Sequence, residues 1–271
     1  MIEKNYRISG NINLTVAHIS DLHNNNRNGR QVSESLNRKQ PDLIALTGDI
    51  VLRRYPIGNT LLVQSEKHVL PFLTECAKIA PTYMSLGNHE MILCEEDIEL
   101  IVQTGVELLD NRYVKCEKYA IGGLTSAYVS RYKRAVEEMD SPKARTYYPM
   151  PRPFVRPIMQ SEDYAWLYKF EQIPRYRILL CHHPEYWCLE EPILTNRKID
   201  LVLSGHAHGG QFRLFGQGIF SPGQGWFPEY TSGIHKGENG RMIVSKGLAN
   251  TAHMVPRLFN PTEIVYIEIV R

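Results

Sequence analysis

The sequence predicts an α/β fold built on mostly parallel strands, and three observations support this. Short apolar, β-branched runs recur along the chain, as expected of strands buried on both faces. Helical patterns lie between the early runs, which is the alternation of a parallel sheet covered by helices. After about residue 210 the chain becomes rich in Gly and Pro and carries short strands such as "MIVSKGL" and "EIVYIEIV". This later part indicates a second layer dominated by β-structure.

Five of the apolar runs stop at a polar cluster that contains Asp, Asn or His. In chain order these clusters are Asp21-Leu22-His23 after "LTVAHIS", Gly48-Asp49 after "DLIALT", Gly87-Asn88-His89-Glu90 after "TYMSL", Cys181-His182-His183-Pro184 after "RILL" and Gly205-His206-Ala207-His208 after "DLVLS". Ligands of open α/β sheets bind beyond the carboxyl ends of the strands. We therefore expect the five clusters to form one site.

Two segments between the early strands show the helical period. In the first, the apolar residues stand at i, i+3, i+4 and i+7: Val69, Phe72, Leu73 and Cys76. The second begins with the acidic turn "EED", which suits a helix N-terminus, and its apolar residues are Ile98, Ile101 and Val102. Gly105 is a plausible terminus for that second helix.

Composition excludes several classes of protein. The 31 basic and 29 acidic residues nearly cancel, so no net field favours nucleic acid or a membrane surface. The five cysteines are odd in number and form no C-x-x-C pair, which favours a reducing compartment over a disulfide scaffold. The start "MIEKNYRISGNINL" lacks a signal-peptide core, and no run approaches the roughly 18 apolar residues of a membrane span. We therefore expect a cytoplasmic chain without a transmembrane segment.

The clusters offer oxygen and imidazole donors without thiolate, a set that suits Mn, Fe or Zn ions. The candidate metal ligands are Asp21, His23, Asp49, Asn88, His182, His206 and His208. Seven ligands are too many for one ion and about right for two ions that share a carboxylate. Asp49 is the natural bridge, because an Asp after a Gly can present both oxygens without crowding. Two ions roughly 3.5–4 Å apart can clamp a phosphoryl centre and hold a hydroxide between them.

The pair His206 and His208 is expected to alternate along extended backbone and so to reach two different ions. The flanking glycines allow that turn to approach the ions closely. "CHHPEYWC" does not predict a zinc finger, because its two cysteines lack finger spacing. The glycines after residue 215 do not spell G-x-G-x-x-G, so a dinucleotide site is not expected.

Taken in order, D-x-H, G-D, G-N-H-E, a His after a strand and G-H-x-H resemble the calcineurin-like metallophosphoesterase superfamily. The resemblance runs from about Asp21 to His208. The tail, from "HGGQFRL" through "SKGLAN" and "VPRLFNPTEI", resembles a bacterial branch that includes enzymes acting on phosphodiesters.

The resemblance implies a four-layer α/β/β/α sandwich with two central mixed sheets. The sequence has no internal repeat and no low-complexity linker, so we expect one metallophosphoesterase domain over residues 1–271, with a Tyr/Arg/Pro-rich insert at about 126–172. Asp21, His23, Asp49 and His208 would hold the first metal ion, and Asp49, Asn88, His182 and His206 the second. His89 would be the outer-sphere residue that stabilises the developing charge or protonates the leaving oxygen.

The implied function is dinuclear-metal-dependent hydrolysis of phosphate esters, with phosphodiesters favoured over monoesters. A metal-bridging hydroxide would attack phosphorus in line, with His89 assisting and Asn88 and Asp49 in the catalytic set. The alternative is a catalytically silent member of the fold that binds metal or protein, although none of the eight expected positions is missing. A nucleic-acid-binding module would need a basic face with interleaved aromatics, and only the insert offers one.

Three assignments remain open in the sequence. His182 and His183 compete for one ligand position; the resemblance favours His182 and leaves His183 beside the ligands or on the surface. Glu90 either orients neighbouring groups or forms a surface pair. The insert either supplies a charged, aromatic lid to a phosphorylated substrate or is a solvated loop. The oligomeric state is not predicted.

Overall fold

The computed structural model describes residues 1–52, 60–126, 165–189, 193–221, 223–249 and 257–271. The predicted insert at about 126–172 lies mostly outside the described residues. The described helices are α1 (Asn26–Lys39), α2 (Leu62–Ser65), α3 (Val69–Ile79), α4 (Glu95–Gln103) and α5 (Ala165–Glu171). Helices α3 and α4 are the two that the hydrophobic period predicts. None of the described helices has the length and hydrophobicity required to cross a membrane.

The first of two six-stranded sheets contains, in spatial order, β1 (Ile2–Ser9), β16 (Glu263–Val270), β2 (Leu14–Ile19), β3 (Leu43–Leu46), β4 (Thr82–Met84) and β5 (Glu107–Leu108). Strand β16 pairs parallel to β1 and antiparallel to β2. From β2 to β5 all pairings are parallel, as the alternation of strand and helix predicts.

The second sheet contains, in spatial order, β14 (Gly233–Lys236), β15 (Arg241–Val244), β9 (Leu201–Ser204), β8 (Tyr176–Cys181), β7 (Tyr119–Leu124) and β6 (Arg112–Lys115). Its outer strands β14 and β6 pair antiparallel, and the four central strands are parallel. Two small hairpins follow β9: β10 (Arg213–Leu214) with β11 (Gln217–Gly218), and β12 (Phe220–Ser221) with β13 (Gly225–Trp226). Both sheets are therefore mixed.

The strands are apolar on both faces because each sheet is covered on both sides. In β3, Leu43 and Ala45 face the second sheet, whereas Ile44 and Leu46 face helices α1 to α4. On the far side of the second sheet, Leu167 and Phe170 of α5 pack against Leu179 of β8. The order of layers is helix, sheet, sheet, helix, so the expected four-layer α/β/β/α sandwich is confirmed.

Local chemistry explains the bounds of α4. The carboxylate of Asp97 accepts a hydrogen bond from the backbone N–H of Cys94 at 3.2 Å, which satisfies a donor at the helix N-terminus. The acidic first turn also complements the helix dipole. After α4, Gly105 adopts φ +93°, a conformation that ends a helix at little cost for glycine.

Candidate metal centre

The five polar clusters lie at the carboxyl ends of β2, β3 and β4 in one sheet and of β8 and β9 in the other. Among the described residues, four groups of side chains have ligand atoms within 4.8 Å of one another, and two of the four consist only of predicted metal ligands. The first group is Asp21, His23 and His208, and the second is Asp49, His182 and His206. The resemblance assigns each group to one ion. It also adds Asp49 to the ligands of the first ion and Asn88 to those of the second.

Asp49 lies between the two groups. Its Oδ2 atom is 3.7 Å from Nε2 of His23 in the first group and 3.2 Å from Nε2 of His182 in the second. Its Oδ1 atom accepts a hydrogen bond from the backbone N–H of His89 at 2.8 Å. A carboxylate in this position can share its oxygens between two cations.

Asn88 and His89 complete the surroundings of Asp49. The Oδ1 atom of Asn88 lies 3.1 Å from Nε2 of His182, beside the second group. His89 turns Nδ1 to the carbonyl of Leu52 at 3.0 Å, while Nε2 lies 3.8 Å from Oδ2 of Asp49. His89 remains 25% exposed, whereas the side chain of His23 is 1% exposed. Of the two, His89 is therefore the one that an incoming substrate can reach.

Two properties of the donor atoms fit metal ions: their chemical type and the lack of hydrogen-bond partners at some of them. Among the described residues, neither ring nitrogen of His23 has a hydrogen-bond partner, and Nδ1 of His208 also lacks one. Buried polar atoms are normally satisfied in folded proteins, so these nitrogens call for a partner from outside the chain. A cation bound by imidazole and carboxylate satisfies them.

Burial and charge set the protonation of these groups. Burial holds the pKa of His23 and of His206 well below the usual histidine value, and nearby histidines lower it further. Burial opposes the charged form of Asp49 and of His182, but their mutual attraction outweighs it. The pKa of Asp49 is therefore held well below its usual range, and that of His182 is raised to about 10. A metal ion at Asp49 would compete with the proton on His182, because ligand histidines must be neutral.

The backbone of the centre differs from the expected extended form. His206 and His208 have φ of +63° and +47°, so both are left-handed and the prediction of extended backbone is wrong. A left-handed residue turns the chain sharply enough to bring neighbouring side chains into one compact turn. Three further candidate ligands share this conformation: Asp21, His23 and Asp49. Such conformations cost free energy in non-glycine residues and cluster at functional sites.

Glycine is required where the loops approach one another. A Cβ atom on Gly205 would lie 1.6 Å from Oγ of Ser20 and 2.6 Å from a carboxylate oxygen of Asp21. One on Gly87 would lie 2.3 Å from Oδ1 of Asp49. No side chain fits at either distance, so these two glycines allow the ligand loops to approach one another closely.

Glu90 is buried, 1% exposed, and does not form a surface pair. Its carboxylate accepts backbone N–H groups from both motif loops, those of Asp49 and Gly87 at Oε2 and that of Ile50 at Oε1, each at 2.8 Å. Burial, followed by the charge of Asp49, raises the pKa of Glu90 to about 7. Glu90 therefore joins the loop that carries Asp49 to the loop that carries Asn88.

His183 is also buried, which excludes the surface position that the sequence left open. Its Nε2 atom lies 2.8 Å from Oγ of Ser126, and its Nδ1 atom lies 3.7 Å from a carboxylate oxygen of Glu185. The ring centroids of His183 and His206 are 4.3 Å apart. His182 contacts Asp49 directly, and His183 packs behind His206.

Two residues that support the centre lie in the tail stretch "VPRLFNPTEI", where the sequence predicts no role for either of them. Asn260 is buried and donates through Nδ2 to the carbonyl of His208 at 2.7 Å, which holds that turn in place. The guanidinium of Arg257 donates to backbone carbonyls of residues 246, 247 and 249. Gly247 in that segment packs on Asp21, since a Cβ atom there would lie 2.8 Å from the Asp21 side chain. Both Asn260 and Arg257 come from the segment that precedes the last strand, far from the motifs along the chain.

Comparison with known proteins gives a match to the calcineurin-like phosphoesterase model over residues 14–210. The chain belongs to this family. The matched range contains all eight residues predicted to bind metal or assist catalysis.

Two curated relatives of this chain are bacterial proteins. It is 27% identical over 209 residues to the uncharacterized metallophosphoesterase YkoQ of Bacillus subtilis, a match that covers 73% of this chain and 62% of YkoQ. The chain therefore spans less than two thirds of the length of that relative. It is also 26% identical over 238 residues to the phosphodiesterase YaeI of Escherichia coli, covering 86% of this chain and 72% of YaeI.

Solved structures share the fold at low sequence identity. A dimetal phosphatase from Danio rerio superimposes with a TM-score of 0.52 at 13% identity, covering 88% of this chain and 89% of that one. The protein TT1561 of Thermus thermophilus gives a TM-score of 0.51 at 11% identity, covering 88% of this chain and 92% of that one. These likenesses support the architecture alone.

Proposed function

We propose that this protein is a dinuclear-metal-dependent phosphodiesterase. The observation that carries the proposal is the position of Asp49 between two buried groups of metal-ligand side chains. Asp21, His23, Asp49 and His208 would hold one ion, and Asp49, Asn88, His182 and His206 the other. The donor types favour Mn, Fe or Zn. Two ions there would supply positive charge to the phosphoryl oxygens and activate the attacking water.

The residues of the chain have distinct roles in this proposal. The carbonyl of Leu52 accepts from Nδ1 of His89, so Nε2 of His89 faces the centre and is the nitrogen that holds or gives a proton at the leaving oxygen. The backbone N–H of His89 donates to Asp49 Oδ1 and keeps the second carboxylate oxygen directed at the histidines. Glu90 keeps both loops in register, so that the ligands are arranged before substrate binds.

The charge of the centre supports a diester substrate over a monoester. The five sequence clusters that supply the ligands contain no arginine or lysine that would bind the additional charge of a monoester. The half-buried Arg257 uses its guanidinium within the fold, where it donates to backbone carbonyls of residues 246, 247 and 249. The similarity to YaeI, which is named a phosphodiesterase, adds to this support.

We extend the proposal to the chain's organisation and compartment. An apolar core continuous between the two sheets supports one metallophosphoesterase domain. All five cysteines are free, which supports a reducing compartment such as the cytoplasm.

The test is hydrolysis of bis(p-nitrophenyl) phosphate and of p-nitrophenyl phosphate by protein stripped of metal and then given Mn²⁺, Fe²⁺, Zn²⁺ or Mg²⁺. We expect a transition metal to restore activity and the diester to give the higher kcat/KM. Asp42→Asn is the matched control for Asp49→Asn. Asp42 is exposed and lies at the opposite end of β3 from Asp49.

A higher kcat/KM for the monoester would overturn the diester assignment. Absence of activity with every metal, in protein shown to bind two ions, would favour a catalytically silent binding protein. Absence of bound metal would overturn the centre itself.

A further inference from the structure

A further group of metal-ligand side chains adjoins the proposed centre. Ligand atoms of His183, Glu185 and His206 lie within 4.8 Å of one another, and all three residues are buried. His183 and Glu185 follow β8, and His206 follows the neighbouring strand β9. The proposed dinuclear centre uses His206 but assigns no ion to His183 or Glu185. A buried carboxylate and a buried imidazole beside the centre therefore need an explanation.

The carboxylate of Glu185 has one satisfied oxygen and one unsatisfied oxygen. Its Oε1 atom accepts a hydrogen bond from Nε2 of Gln224 at 3.1 Å. Among the described residues, Oε2 has no hydrogen-bond partner, although the side chain is fully buried. Buried charged groups are normally paired or bound to a metal, because a bare charge is costly away from water. The Oε2 atom therefore calls for a cation.

The distance between Glu185 and His183 suits two ligands of one ion. Oε2 of Glu185 lies 3.7 Å from Nδ1 of His183, which is longer than a hydrogen bond. Two ligand atoms that are each about 2.0–2.2 Å from a tetrahedral Zn²⁺ lie roughly 3.3–3.6 Å apart. The observed separation is close to this range, so one ion can contact both side chains with little movement.

His183 is oriented as a metal-binding histidine is. Its Nε2 atom lies 2.8 Å from Oγ of Ser126, to which it can donate, and this leaves the lone pair of Nδ1 on the side of Glu185. Ligand histidines commonly use the second ring nitrogen in this way, because the hydrogen bond fixes the tautomer and the ring. The ring of His206 is 4.3 Å from that of His183 between centroids. Two imidazoles therefore converge beside one carboxylate.

We infer that His183, Glu185 and His206 form a third metal site and that this site binds Zn²⁺. Two histidines and one glutamate are a known protein ligand set for zinc, with water in the remaining position. Either ring nitrogen of a histidine can bind a metal, so His206 can serve this ion with one nitrogen and the second ion of the centre with the other. This site goes beyond the reaction proposed above and rests on that proposal only through the shared ligand.

An ion in this site would connect three parts of the chain. Gln224 of the β12–β13 hairpin donates to Glu185, and a Cβ atom on Gly223 would lie 2.2 Å from Oε1 of Glu185. The hairpin therefore packs directly on the carboxylate. Zinc bound there would join this hairpin to the loop after β8 and to the turn of His206 after β9.

The test is a count of zinc ions and their location. The metal-free chain is loaded with excess Zn²⁺, desalted and measured by mass spectrometry, and we expect three zinc ions per chain. Anomalous scattering at the zinc edge, from crystals of the loaded protein, should place one ion between His183, Glu185 and His206.

Variants separate the third site from the rest of the chain. Glu185→Gln keeps the shape of the side chain but removes its charge, so it should bind one zinc ion fewer than the wild type. His183→Gln serves as a second variant, with the same expectation, if the first does not fold. The matched control is Asp97→Asn, which changes a buried carboxylate on α4 that accepts backbone N–H groups. The control should retain three zinc ions.

Three results would overturn the inference. They are two zinc ions in the wild type, three zinc ions in Glu185→Gln, and an anomalous peak for the third ion away from His183. Two ions in the wild type together with a loss of stability in Glu185→Gln would identify His183 and Glu185 as an ion pair without metal.

Hydrolysis assays distinguish this inference from the proposed function. Two zinc ions per chain with hydrolysis of the diester would overturn the third site and leave the phosphodiesterase proposal standing. Three zinc ions, with the third located at Glu185 and no hydrolysis of either ester with any metal, would have the opposite meaning.

Discussion

The metal centre has the opposite character to four exposed aromatic residues of the later chain, which we call the aromatic rim: Phe215, Trp226, Phe227 and Phe259. The centre buries polar and ionisable side chains that proteins normally expose, and the rim exposes aromatic side chains that proteins normally bury. Both also place non-glycine residues in the left-handed conformation. Both regions stand out because their arrangement lowers the stability of the fold. The metal centre does so through buried charge, and the rim through exposed apolar area.

The largest effect is expected from removing the group that joins the two halves of the centre. Asp49→Asn should abolish binding of both ions and lower kcat/KM at least roughly a thousandfold, because an amide cannot bridge two cations as a carboxylate does. Metal content by mass spectrometry and the diesterase assay measure this. Retention of two ions in the variant would contradict the bridging role, and Asp42→Asn should retain both ions.

A second substitution tests how the centre is held together. Glu90→Gln replaces a carboxylate oxygen that accepts N–H groups with an amide nitrogen that donates. Each buried N–H group that loses its acceptor should lower the free energy of unfolding by about 1–3 kcal/mol. We expect metal affinity to fall roughly tenfold to a hundredfold, as for other outer ligand partners. Isothermal titration with Mn²⁺ measures the affinity.

The control for Glu90 is Asp97→Asn. Asp97 is another buried carboxylate that accepts backbone N–H groups, from Val63 and Cys94, but it lies on α4 away from the metal ligands. The control should lower stability without changing metal affinity. An equal loss of affinity in both variants would show that Glu90 acts only through global stability.

The cost of burying ionisable groups near the centre predicts a pH dependence. His18 on β2 is fully buried against Thr47, and burial lowers its pKa to about 3. Below the unfolded pKa of about 6.5 only the unfolded state binds this proton, so stability falls as pH falls from about 6.5 toward 3. Between pH 7 and pH 5 the metal-free wild type should lose about 2 kcal/mol more than His18→Gln. Urea unfolding at both pH values measures the difference, and equal losses would contradict it.

The smallest effect is expected in the rim. Phe215→Asn should change the free energy of unfolding by less than about 0.5 kcal/mol, because the ring is exposed and Asn suits its backbone. By contrast, Phe170→Ala in the core should cost about 3–5 kcal/mol. Thermal unfolding of both variants measures this. A large loss from Phe215→Asn would mean that the ring serves the fold, which would weaken the comparison between rim and centre.

The sequence by itself determined the family, the strands that end at the five polar clusters and the donor types of the centre. Apolar runs that end at polar residues are a local pattern, and the order of D-x-H, G-D, G-N-H-E and G-H-x-H is readable without coordinates. Helices α3 and α4 followed from the period of their apolar residues, because an amphipathic helix must bury one face.

Tertiary structure alone decided which polar residues are buried and which apolar residues are exposed. The sequence around Glu90 does not show whether this residue is buried or exposed. Its hydrogen-bond donors come from the loops after β3 and β4, which only the fold brings together. Asn260 reaches His208 across 52 residues of sequence, and the rings of the aromatic rim look like core residues until the strands are placed. Tertiary structure also decided the left-handed backbone of His206 and His208, because packing between the two sheets, and not local preference, imposes it.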